Sequence, residues 1–75
     1  MYQSFFRTMG FAHCKRKITE NLSSRDISQE TIDRVIDKIE KFYASEERSC
    51  IMKVGDYRIE IYGNVYHSNI WISRI

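Results

Sequence analysis

Apolar residues recur with the period of a helix through the middle of the chain and with the period of a strand through its last third. Ile32, Val35, Ile36, Ile39, Phe42 and Tyr43 fall at i, i+3, i+4, i+7, i+10 and i+11, one continuous stripe on a helix from about Ser28 to Ala44. Ser28 is a good N-cap, and Glu30 lies in the first turn, where the helix dipole favours an acid. Glu30 with Arg34, and Asp37 with Lys41, are i, i+4 pairs in the favourable orientation, each contributing a few tenths of a kcal/mol. A stripe of this kind reads as core.

Residues 49–54, 57–62 and 65–73 are rich in β-branched and aromatic side chains, and Gly55-Asp56 and Gly63-Asn64 separate them as two-residue turns. A turn at 55–56 pairs Val54 with Tyr57, Met52 with Ile59 and Cys50 with Ile61. A turn at 63–64 pairs Ile61 with Tyr66, Ile59 with Ser68 and Tyr57 with Ile70, on the same face. That face is the one the helix stripe covers. The other face carries Lys53, Arg58, Glu60, Tyr62, Val65, His67, Asn69 and Trp71, among which Trp71 is a large aromatic that needs cover or a partner.

The first residues read two ways. Tyr2, Phe5, Phe6 and Met9 make one helical stripe, and Phe11, Cys14, Ile18 and Leu22 make another that points nearly opposite to it, with the switch at Gly10. Either Gly10 breaks the segment in two, with residues 2–9 folding back to complete the thin core, or one helix packs through its second half and presents its first half to a partner. The fold expected is therefore α+β: N-terminal helical segment(s) over about residues 2–46, packed on a three-stranded antiparallel β-meander over about 49–74, in a single domain spanning 1–75.

Composition narrows the class. Seventy-five residues with 43% hydrophobic and 29% charged side chains allow one globular domain with a thin core, and no apolar run is long enough for a membrane span. The start, MYQSFFRTMGFAHCKRK, places its cations after its apolar residues and has no cleavage site, so a cytoplasmic location is expected. Charge is segregated: Arg7, Lys15, Arg16, Lys17 and Arg25 face only Glu20 in the first third, whereas residues 26–47 are acidic. Opposite balances suit two helices lying side by side. The net charge of +2 is too small to announce a nucleic-acid binder.

Candidate chemistry is sparse. P-loop, dinucleotide-binding, nucleophile-elbow and H-E-x-x-H motifs are absent. Glu60 and His67, facing each other across the second hairpin, would orient an imidazole, but such pairs are more often surface electrostatics. His13, Cys14, Cys50 and His67 lack zinc-ligand spacing, so no metal or cofactor is expected, and both cysteines read as reduced core residues. The basic run Lys15-Arg16-Lys17 and Arg58 on the sheet are the candidate phosphate contacts. Tyr62 and Trp71 beside Arg58 and Lys53 would form a stacking platform for single-stranded nucleic acid.

The run Val54-Gly55-Asp56-Tyr57-Arg58-Ile59-Glu60-Ile61 resembles the central hairpin of RelE/ParE-type toxins, in which a similar V-G-D-Y-R-V run turns through Gly-Asp. The family order, a strand, a helical hairpin and an antiparallel sheet, is matched if residues 2–8 are a strand. The resemblance implies a ribosome-dependent ribonuclease or a gyrase poison held in check by an antitoxin. The C-terminal basic and aromatic cluster is reduced here to His67, Trp71 and Arg74.

The leading expectation is a non-catalytic regulatory or inhibitory protein that acts by binding another protein, in the manner of the antirepressors and inhibitors of mobile genetic elements. Its contact residues are Tyr2, Phe5, Phe6 and Met9, with Tyr62 and Trp71 as the second choice, since large aromatics dominate interface energetics. Self-association as a C2 dimer is expected because one core of this size is marginal. The toxin is the alternative, and a small nucleic-acid-binding module comes third.

Overall fold

The computed structural model describes residues 3–75. Its elements run β1 (Gln3–Thr8), α1 (Phe11–Ser23), α2 (Gln29–Ala44), β2 (Ser49–Val54), β3 (Tyr57–Gly63) and β4 (Ser68–Arg74). The four strands form one antiparallel sheet in the order β1-β4-β3-β2. Both helices lie on the same side of it. The result is an α+β domain of two layers.

Helix α2 forms for the reasons its sequence supplies. The Ser28 side chain accepts from the Thr31 N–H, and Ile32, Val35, Ile36, Ile39 and Phe42 are buried. The Arg34–Glu30 and Lys41–Asp37 ion pairs close at 2.9 and 3.1 Å on the exposed side. Helix α1 buries Cys14, Ile18 and Leu22. The two stripes meet Ile59, Ile61, Ile70 and Ile72, all without solvent exposure, together with Met52 and Val54.

Two expectations are corrected. The sheet has four strands rather than three, because residues 3–8 form a strand and not a helix. Gln3, Phe5 and Arg7 are exposed while Ser4, Phe6 and Thr8 turn inward, a period of two that the aromatic spacing disguised. Pairing with β4 decided the matter, since an isolated six-residue helix has too few hydrogen bonds to persist in water. Gly10, at φ 87°, takes the chain from β1 into α1, a conformation open to glycine at little steric cost.

The second correction concerns the β3–β4 register. The first hairpin pairs as expected: Val54 with Tyr57, Met52 with Ile59, Cys50 with Ile61. In the second, Ile61 faces Ile70 and Ile59 faces Ile72, with Gly63 opposite Ser68, so a four-residue loop replaces the two-residue turn. Asn64 builds that loop. Its side-chain oxygen accepts from the Tyr66 and His67 N–H groups at 2.9 and 3.1 Å, and its N–H donates to the His67 carbonyl. The loop is tied down in turn by the Gly10 N–H, which donates to the Val65 carbonyl at 2.9 Å. A shift of this parity leaves each residue of β4 on its expected face. It also moves Val65 and His67 off the sheet, exposes Tyr66, and sets Trp71 rather than His67 opposite Glu60.

Candidate functional site

The helices leave one face of the sheet open, and three rows of residues cross it. Across the middle run Phe5, Trp71, Glu60 and Ile51. On one side lie Gln3, Ser73, Arg58 and Lys53, and on the other Arg7, Asn69, Tyr62 and Ser49. The central row is apolar except for one carboxylate, and cations flank it. Phe5 is 45% exposed and Trp71 36%, yet their ring centroids lie 4.3 Å apart at a tilt of 42°. Each ring thus covers part of the other and still offers a face to solvent. Such a pair contributes about 0.5–1.5 kcal/mol beyond its buried area.

Glu60 organises the polar part of the face. It accepts from the Tyr62 hydroxyl at 2.5 Å and from the Arg58 Nε at 3.1 Å. The carboxylate therefore fixes the phenol and the guanidinium that flank the aromatic row. The bond to Glu60 pushes the Tyr62 phenol above its ordinary value. Beyond Tyr62 the face ends in a concavity of about 380 Å3, lined by Arg7, Met9, Tyr62, His67 and Asn69.

The structure redistributes the residues singled out in the sequence. Phe5, Tyr62 and Trp71 come together on the open face, and Met9 sits at its end beside Tyr62. Two surfaces that read as alternatives are one, joined by β1–β4 pairing. Phe6 points the other way and packs against the core, with the Lys17 ammonium 5.7 Å from its ring centre. Tyr2 lies outside the described residues. Glu60 and Ile51 take the place on this face that the first hairpin gives them, and Arg7 joins them through the strand alternation of β1.

The basic residues do not converge. Lys15 and Arg16 flank a shallow groove on α1 with Ala12, Thr19 and Glu20, on the helical layer, whereas Arg58 lies on the opposite layer. Arg25 is engaged structurally: its guanidinium donates to the Asn21 carbonyl and the Ser4 hydroxyl, both at 2.7 Å, and stacks over Tyr57. His13 accepts from the Met9 N–H at 3.0 Å. Among the described residues no three His, Cys, Asp or Glu side chains are grouped to hold a metal.

Beneath the sheet, the buried Thr8, Cys14 and Ser68 cluster with the half-buried Tyr43, and the Tyr43 and Ser68 hydroxyls lie 2.8 Å apart. Burial pushes the Cys14 thiol up, and pushes the Tyr43 phenol from its ordinary value of 10.0 to about 12. Cys14 is a free thiol held in its protonated form, the opposite of an activated nucleophile. No helix is long and apolar enough to cross a membrane among the described residues. No family model, curated protein or solved structure matches the chain.

Proposed function

We propose that this chain is a small regulatory or inhibitory protein that acts by binding another protein through the open face of its sheet. The observation that carries the reading is the half-exposed Phe5–Trp71 pair at the centre of that face. Rigid aromatics ringed by oriented charges are the usual anatomy of an interaction hot spot. A second copy of the chain is the simplest partner. Light scattering at micromolar concentration reads it, and a 9.0 kDa species alone would assign the face to a different protein.

The test is affinity capture from host lysate, with and without nuclease, for the native chain and for Phe5→Ser with Trp71→Ser. The reading expects capture that survives nuclease and is lost in the double variant, with circular dichroism unchanged. Capture abolished by nuclease would transfer the face to nucleic acid.

A second reading has its own observation. Residues 3–8 are a strand, so the element order implied by the RelE/ParE resemblance is present in full. A toxin would arrest growth when its expression is induced, and alanine at His67 and Arg74 would relieve the arrest. A protein-binding regulator would keep its partner after both substitutions.

A further inference from the structure

On the side away from β1 the sheet ends in β2, with no strand beyond it among the described residues. The two-residue Gly55-Asp56 turn sets Val54, Met52 and Cys50 in hydrogen-bonded pairs with Tyr57, Ile59 and Ile61. The bond from the Gly63 N–H to the Arg48 carbonyl, 2.9 Å, continues the same phase. Antiparallel alternation then turns the N–H and C=O groups of Ser49, Ile51 and Lys53 outward along the open edge.

A groove of about 250 Å3 separates this edge from α2. Val35, Met52 and Val54 give it an apolar floor, Arg34, Lys38 and Lys53 rim it, and among the described residues no aspartate or glutamate lines it. Of the acids of α2, Asp33 and Glu40 lie at 100° per residue on the flank opposite Lys38, Asp37 pairs with Lys41, and Glu30 pairs with Arg34 at the rim. Arg34 is held by Glu30, whereas Lys38 and Lys53 make no ion pair among the described residues.

We propose that the β2 edge and its groove are a docking site for an extended, acidic segment of a partner protein, which adds to the sheet as a fifth strand. The outward backbone groups would set its register, and the apolar floor would seat alternate side chains. The unpaired lysines select carboxylates on the incoming strand. The same charges oppose a second copy at this edge. Pairing β2 with its own copy would bring Arg34, Lys38 and Lys53 of both chains to one seam, and a lysine on an edge strand is a known guard against that pairing. Ile51 and Lys53 belong both to this edge and to the open face, but the site does not use the Phe5–Trp71 pair and does not rest on the reading of that face.

The test uses the 15N-labelled chain titrated with a short acetylated peptide alternating Val and Glu. A Val–Lys counterpart and a Val–Glu peptide with proline at alternate positions serve as controls. The amides of Ser49, Ile51 and Lys53 should shift and exchange more slowly with the Val–Glu peptide alone. Lys38→Glu with Lys53→Glu should weaken binding on the order of tenfold or more, as should Lys38→Gln to a smaller extent, with circular dichroism unchanged. Equal binding of either control peptide, shifts confined to Phe5, Tyr62 and Trp71, or no shift at all would overturn the proposal. So would concentration-dependent shifts at β2 without peptide, which would make the edge a contact between copies.

Discussion

The two faces of this sheet are built from alternate residues of the same strands and could hardly differ more. Towards the helices, Ile59, Ile61, Ile70 and Ile72 are fully buried, aliphatic side chains with no polar atom to satisfy and a strong preference for strands. Towards solvent stand Phe5, Trp71, Tyr62 and Ile51, with Glu60 bonded to its neighbours among them. Apolar area is present on both faces, but of two kinds. The isoleucines suit permanent burial. Indole and phenol combine a large contact area with a polar end that tolerates water, which suits a surface that is covered only part of the time.

That contrast can be broken at either face. The largest effect is expected inside: Ile59→Ala should cost on the order of 2–5 kcal/mol, read as the shift in a urea midpoint, and in so small a domain this approaches unfolding. A cost below about 1 kcal/mol would mean that the inner face is not the core. Gly63→Ala follows. Its Cβ would lie 2.3 Å from the His67 carbonyl oxygen at φ 124°, so the Asn64 loop must open, at more than about 1 kcal/mol. On the outer face, Phe5→Ser with Trp71→Ser should cost about 2 kcal/mol, the pair contact and part of the buried area together, while abolishing partner capture. If that pair of substitutions unfolds the chain, the outer aromatics are structural.

Smaller effects sharpen the electrostatics. Glu60→Gln should change stability by less than about 0.5 kcal/mol, yet bring the Tyr62 phenol down towards its ordinary value in an absorbance titration. Tyr43 gives the pH dependence. Its phenol titrates near 12 in the folded chain against an ordinary 10.0, so between these values the folded state holds the proton that the unfolded state has released. Stability is unaffected by this group below pH 10 and declines as pH rises towards 12. Tyr43→Phe should remove that part of the alkaline slope in urea titrations at stepped pH.

How much of this was legible in the sequence depended on how local each decision was. Helix α2 and the β2–β3 register were readable because a cap, a stripe and a Gly-Asp turn decide them within a few residues. The β3–β4 register was not, because the Asn64 side chain captures two backbone amides and lengthens the loop, an event that the Gly-Asn pair does not announce. Strand β1 was misread because Tyr2, Phe5, Phe6 and Met9 satisfy a helical spacing, and only β4, some sixty residues further on, selects the strand. The site shared that fate. Phe5, Tyr62 and Trp71 were each visible as unplaced aromatics, but their union rests on the Phe5–Trp71 pairing, and Phe6 parts from Phe5 for the same reason.

The pairing of the first strand with the last also orders events during synthesis. Strand β4 lies between β1 and β3, so the sheet cannot be completed until Arg74 has left the ribosome, whatever the helices have done by then. Contacts this distant in sequence are slow to form. Until they form, Phe5 and Phe6 have no strand to lie against and remain available to chaperones or to neighbouring nascent chains. A segment fused after Ile75 would lengthen that interval without touching the folded domain, and ribosome-stalled chains of increasing length would report the moment of closure.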